Sequence, residues 1–265
     1  MTRNDVWGEN TLHVFDIFES ISGEAGGFLQ GSWTTFIRFQ GCNLSCSWCD
    51  APDAAKPSFT SAPMHLTVAE ILDRVNKFNN PQVLITGGEP LCQPPHAFHL
   101  LMEVLNRHGY EIQIETNGTM PLPFIPYAHW VIDYKCPSSG IDPYSRTPLP
   151  LLASWINGYS GSQLTQYVEN QHIIALKFVV ANKEDVEFAV GIIRKFHDYD
   201  IRTPFLLSPV NGATDVDLWD MVQHIKSFGW DGRYLLQDIV FSYQLHKLIG
   251  MKEGTEPESA EAGAS

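Results

Sequence analysis

Several features are missing from this chain, and each absence removes a class of function. There is no basic run: 17 Lys and Arg stand against 30 Asp and Glu, for a formal net charge of −13. A field of that sign repels polyanions, so neither nucleic acid nor an anionic membrane is an expected partner. The opening residues, MTRNDVWGEN, lack the basic-then-apolar pattern of a secretory signal. No uninterrupted apolar run is long enough to span a bilayer. A cytoplasmic location is expected, where thiols stay reduced. Also absent are a nucleophile elbow, a Walker loop, a G-x-G-x-x-G fingerprint and any internal repeat.

Cysteine is scarce but not scattered. Of five cysteines, Cys42, Cys46 and Cys49 lie within GCNLSCSWCD, spaced C-x₃-C-x₂-C. In a reduced compartment such a cluster points to metal or catalysis. Structural zinc needs four ligands in a closed tetrahedron. Cys92, Cys136 or a histidine would have to supply the fourth, and none has a paired spacing. A catalytic zinc on three thiolates is the deaminase arrangement, whose H-x-E…P-C-x-x-C signature is absent. A [4Fe–4S] cubane has four irons, so three cysteines leave one iron open to a small molecule. A reactive cluster is the favoured reading; a zinc-binding or non-catalytic metal-binding scaffold is the alternative.

The rest of the chain alternates between two periods. Strand patterns occupy 34–39, 82–87, 111–116, 129–135, 173–181, 204–209 and 233–237. Helical patterns occupy 67–78, with a Thr67/Glu70 capping-box pair, then 96–108, 183–197 and 216–228. The segment 155–170 is ambiguous. Alternation of this kind implies a mostly parallel sheet of about six or seven units, near the count of a partial β/α barrel. In such folds ligands sit at the C-terminal strand ends. That rule sends the cysteine loop, Thr86–Gly88, Glu115, Lys135 and Ser208 to one rim. One core domain is expected over 1–250, with a disordered acidic tail over 251–265.

ITGGEPL (Ile85–Leu91) adds a second signal. Its glycines let the backbone approach a ligand, and Glu89 with the nearby peptide groups can receive an ammonium. Alone it reads as a turn. Downstream of the three-cysteine loop it resembles the radical S-adenosylmethionine (SAM) enzymes. FESISGEAGG, FIRFQGCNLSCSWCD, LITGGEPL, IETNGT, DYKCPSSG, LKFVVA, LLSPVNG and QLHKLIG follow in that order from Phe18 to Gly250. Together they resemble the 7-carboxy-7-deazaguanine synthases of queuosine and 7-deazapurine biosynthesis.

The resemblance implies a trimmed, modified (β/α)6-type barrel, usually dimeric. It implies a carbon–nitrogen lyase that contracts 6-carboxy-5,6,7,8-tetrahydropterin to 7-carboxy-7-deazaguanine with loss of ammonia. The implied cofactors are a [4Fe–4S] cluster, SAM and Mg2+, with a flavodoxin or ferredoxin as reductant. Cys42, Cys46 and Cys49 would hold the cluster. SAM would lie against Trp48, Cys49, Asp50, Gly87, Gly88, Glu89, Asp133, Tyr134, Lys135, Ser208, Pro209, Val210 and Asn211. The pterin would meet Ile21, Ser22, Gly23, Glu24, Arg38 and Thr86. Arg38 suits the substrate carboxylate because its planar fork binds it bidentately.

The chain departs from the family pattern. Ala51 stands where a threonine hydroxyl usually helps hold magnesium, and Ser22 where glutamine is common. A radical SAM enzyme acting on another small molecule or a peptide therefore stays open. His96 and His99 read as helix-start residues, His246 as packing or site, Cys136 as a small buried residue, and Glu115 as support for the SAM site.

Overall fold

The computed structural model describes residues 11–23, 30–56, 64–160, 174–201, 203–210, 218–228 and 236–243. The first half runs β1 (Thr11–Ile21), β2 (Trp33–Phe39), α1 (Pro52–Ala55), β3 (Met64–Thr67), α2 (Val68–Phe78), β4 (Gln82–Gly87) and α3 (Pro95–Arg107). The second half runs β5 (Glu111–Thr116), β6 (Ala128–Asp133), α4 (Leu149–Ser160), β7 (Ile174–Val180), α5 (Lys183–Asp198), β8 (Phe205–Pro209), α6 (Leu218–Ser227) and β9 (Ile239–Phe241). Among the described residues nine strands join one sheet in the order β3-β1-β2-β4-β5-β6-β7-β8-β9. From β2 to β9 every pairing is parallel. This is the expected incomplete β/α barrel.

Local chemistry explains the well-anticipated elements. The α2 helix starts at Thr67, whose hydroxyl accepts from the Glu70 N–H while the Glu70 carboxylate accepts from the Thr67 N–H at 2.8 Å. The α5 helix starts on Asn182, whose side chain accepts from the Asp185 N–H at 3.0 Å. β7 is buried at six of its seven positions, which is why it reads as a continuous apolar run. The outward-facing residues of the sheet, among them Ile85, Ile114, Trp130, Phe178 and Phe205, form one core with the helices. Two small apolar groups lie apart from it: Phe18, Phe36 and Leu84, and Val131, Ala175 and Leu206.

Several elements differ from the sequence reading, among them the short α1 and β3, which it does not contain. Strand β1 was not anticipated, because a register irregularity between Val14 and Asp16 breaks the period-2 alternation. It pairs antiparallel with β2 and β3 and caps one edge. A strand lies at Ile239–Phe241; of the expected 233–237 strand, residues 233–235 lie outside the described residues and 236–238 form a turn, and three residues are too few to show a period. The start of the ambiguous stretch belongs to α4, which runs through Trp155 to Ser160. The proposed 251–265 tail lies outside the described residues. Among those described, no helix is long and apolar enough to cross a membrane.

Candidate active site

The cysteine loop leaves the C-terminal end of β2 and is fastened mostly by backbone groups. Gly41 donates its N–H to the Ala54 carbonyl at 2.7 Å, and Cys42 donates to Ala55 at 3.1 Å. The Gln40 side chain spans the same strap, donating to the carbonyls of Asp53 (3.0 Å) and Lys56 (2.6 Å). Gln93 donates to the Gln40 carbonyl at 3.0 Å and accepts from the His13 N–H at 2.8 Å. Gly88 N–H reaches the Phe39 carbonyl at 2.9 Å, and Glu89 N–H reaches Gly41 at 2.8 Å. The two peptide N–H groups of the Gly-Gly-Glu motif therefore hold the cysteine loop; they do not point free into the site.

The motif's glycines are sterically required. A Cβ on Gly87, whose φ is +123°, would lie 2.3 Å from Phe39 backbone atoms. One on Gly88 would lie 2.1 Å from the Gly41 carbonyl oxygen. Glu89 is 1 % exposed and accepts from Thr116 Oγ1 (2.7 Å), Leu91 N–H (3.0 Å) and Asn117 N–H (2.7 Å). Burial raises its pKa, against these three donors. Its first task is to tie β4 to the loop after β5.

All three cysteines are free thiols of intermediate exposure, and all line one cavity at the C-terminal strand ends. Burial pushes the Cys42 and Cys46 thiols up. Cys42 Sγ accepts from the Leu44 N–H at 3.4 Å and lies 3.8 Å from Asn117 Nδ2. The same cavity is lined by Trp48, Asp50, Ala51, Gly87, Gly88 and Glu89. Parallel register brings Arg38 beside Thr86, Asp133 beside Lys177, and Val179 beside Ser208, all facing inward. Glu115 lines the cavity too.

Charge is arranged in pairs. Lys135 donates to Asp133 at 2.7 Å and lies 5.1 Å from the Trp48 ring centroid. Burial pulls the Lys135 ammonium down, but Asp133 and Cys46 outweigh it and its pKa is raised. Arg38 sits 3.7 Å from Asp16 and 4.8 Å over the Phe18 ring while still lining the cavity. Arg38 thus pairs within the sheet and lines the cavity at once. Ser208 is 3 % exposed, and its hydroxyl finds no partner among the described residues, beside Pro209 and Val210 in the cavity wall. A buried hydroxyl without a partner is costly, and a bound ligand is one way to satisfy it.

Some expected residues are placed elsewhere. Tyr134 does not line the cavity; its ring packs with Phe178 and Phe188, 6.2 Å from each. Alternation carries its side chain to the helix face while Asp133 and Lys135 face the cavity. Ser22 is fully buried, and its backbone closes the β1–β2 connection against Ser32 and Gly31. Of the entry segment, Gly23 lines the cavity, while Ile21 and Ser22 do not. Glu24, Asn211 and His246 lie outside the described residues. His96 and His99 are exposed in the first turns of α3, Cys136 is fully buried, and Cys92 lies outside the cavity wall.

Sequence reasoning passed over Lys177, Asn117, Gln40 and Gln93. Lys177 had a signal: a lone lysine inside an apolar strand, on the inward face. The two glutamines had none, because their partners are remote in sequence.

Residues 36–132 match the Radical SAM superfamily. A 7-carboxy-7-deazaguanine synthase of Methanospirillum hungatei JF-1 is 32% identical over 241 residues, which is 91% of this chain and 86% of the relative. One from Aquifex aeolicus is 34% identical over 196 residues, covering 74% of this chain and 75% of the relative. The crystal structure of QueE from Escherichia coli superposes with a TM-score of 0.58 at 19% identity, over 92% of this chain and 99% of the other. At that identity the likeness speaks for the fold.

Proposed function

Because this chain belongs to the 7-carboxy-7-deazaguanine synthase family, we infer that it converts 6-carboxy-5,6,7,8-tetrahydropterin to 7-carboxy-7-deazaguanine with release of ammonia, by radical SAM chemistry. The observation that carries this reading is convergence. Three free cysteines share one cavity with the Gly-Gly-Glu motif, three cations (Arg38, Lys135 and Lys177) and a buried hydroxyl with no partner among the described residues.

Cys42, Cys46 and Cys49 fit a [4Fe–4S] cluster with one iron left for SAM. When bound, the cluster supplies the electron that cleaves SAM and generates the 5′-deoxyadenosyl radical. The chain's own work is placement. The glycines at 87 and 88 let the end of β4 pack directly on the backbone that carries Cys42. Asp133 and Lys135, fixed by their mutual bond, form the wall beside Trp48. Ser208 offers its hydroxyl at the far end of the cavity. Arg38, held in place by Asp16 and Phe18, presents a guanidinium to the substrate carboxylate. Thr86, its register neighbour, offers a hydroxyl on the same wall.

Magnesium does not fit in the way the family uses it. The cavity-lining residue after Asp50 is Ala51, and a methyl group donates no lone pair. Removing magnesium with a chelator should therefore leave turnover largely unchanged. Ala51→Thr should restore a protein oxygen and make the rate magnesium-dependent. Strict magnesium dependence of the unaltered chain would count against this view. With the reading go a cytoplasmic homodimer and reduction by flavodoxin or ferredoxin.

The direct test is an anaerobic assay of reconstituted protein with SAM, a reductant and the carboxytetrahydropterin. Formation of 7-carboxy-7-deazaguanine is the expected result. SAM cleavage without ring contraction would keep the radical chemistry and sink the substrate.

A further inference from the structure

The two halves of the cysteine loop are anchored independently. Gly41 and Cys42 are held by the Ala54–Ala55 carbonyls and by the loops after β4 and β5. The Cys46–Cys49 half is held by another part of the sheet, the 3₁₀ turn Pro137–Ser139 after β6. Ser47 N–H donates to the Ser139 carbonyl at 2.9 Å, and Ser47 Oγ to the Ser138 carbonyl at 2.8 Å. Trp48 Nε1 donates to Ser138 Oγ at 3.1 Å. Gly140, at φ +71°, closes the turn against Ser47.

The turn is held from behind by one carboxylate. Asp185, in the first turn of α5, is 0 % exposed. Its Oδ1 accepts from the Ser138 N–H at 3.0 Å and its Oδ2 from the Ala181 N–H at 2.8 Å. Burying a carboxylate is costly unless its oxygens are satisfied, and bonds from backbone N–H to an ionised acceptor are strong. Both oxygens are used to lock the turn after β6 to the turn after β7. Ser138 lies three residues beyond Lys135, which packs over Trp48 and pairs with Asp133 in the cavity wall. One short turn therefore touches both the cluster loop and the SAM-side wall.

We propose that Asp185 is a positioning residue for the Cys46–Cys49 half of the loop, acting through Ser138, and that it sets the cluster against the cavity wall where SAM binds. The inference rests on the reading that the three cysteines hold the cluster. It assigns Asp185 no contact with SAM or substrate.

The test uses the full-length, reconstituted protein. Asp185→Asn keeps the side chain's size but turns one acceptor into a donor facing a backbone N–H. It should load iron nearly as well as the unaltered chain, because the ligands are intact. Its KM for SAM should rise roughly tenfold, and the change that SAM induces in the EPR spectrum of the reduced cluster should weaken. Ser138→Ala removes only the bond to Trp48 and should reproduce the spectral change with a smaller KM effect. It decides the matter if Asp185→Asn fails to fold. Variants that lose only thermal stability, with unaltered EPR response and KM for SAM, would overturn the proposal alone. An unaltered chain that takes up no iron would sink the cluster reading and this proposal with it.

Discussion

Cys42→Ala protein, reconstituted anaerobically, should retain its fold and lose its chemistry. Iron should fall well short of about four atoms per chain. SAM cleavage should drop by at least about three orders of magnitude, since no other group in the cavity can deliver the electron. The fold should lose no more than about 1–2 kcal/mol, because Cys42 is a partly exposed loop residue outside the main core. Cys92→Ala is the matched control. That thiol is exposed and lies outside the cavity wall, 3.8 Å from the Met120 sulfur. It should keep its iron and its turnover. Iron analysis and deoxyadenosine release measure both variants. Full activity in the Cys42 variant would remove the loop from the mechanism.

Gly88→Ala should damage both fold and site with a single methyl group. The new Cβ would lie 2.1 Å from Gly41 O, 2.5 Å from Gly41 C and 2.9 Å from Ala54 O. All three are backbone atoms of the segment that carries Cys42, so no side-chain rotation relieves the clash. Either β4 or the cysteine loop must move, and the Gly88–Phe39 and Glu89–Gly41 hydrogen bonds stretch with it. Overpacking of this kind costs about 1–3 kcal/mol. For a chain this size that is a fall of roughly 2–4 °C in Tm per kcal/mol. Cluster loading should fall as well, because the displaced loop holds a ligand. Gly158→Ala, in α4, should do the opposite. A Cβ there meets nothing within 4 Å, and alanine favours the helix by about 0.8–1.0 kcal/mol. Thermal melts of the two variants should move in opposite directions.

What was legible beforehand depended on range. The Thr67/Glu70 cap, the apolar run of β7 and the amphipathic α2 and α5 rest on neighbours within a few residues, and the sequence displays them. Strand β1 was hidden because an irregularity breaks its alternation, and β9 because it is three residues long. Tyr134 was grouped with Asp133 and Lys135 as part of one motif, yet alternation points its ring out of the cavity. Arg38, expected from the resemblance at the substrate carboxylate, also pairs with Asp16 inside the sheet, a contact that only the strand register reveals.

The sequence by itself determined the chemistry on offer: three thiols in one short loop, a Gly-Gly-Glu turn after a strand, and the alternation that makes a parallel sheet. These are local patterns, and local patterns decide residue type, period and face. Only the tertiary structure decided what holds that chemistry in place. Gln93 reaches His13 across 80 residues, Ser47 reaches Ser138 across 91, and Ser138 reaches Asp185 across 47. A buried polar group must find a partner, but nothing in its own neighbourhood says which one. That choice is made when parallel strands, joined by helices, bring distant turns to the same end of the sheet.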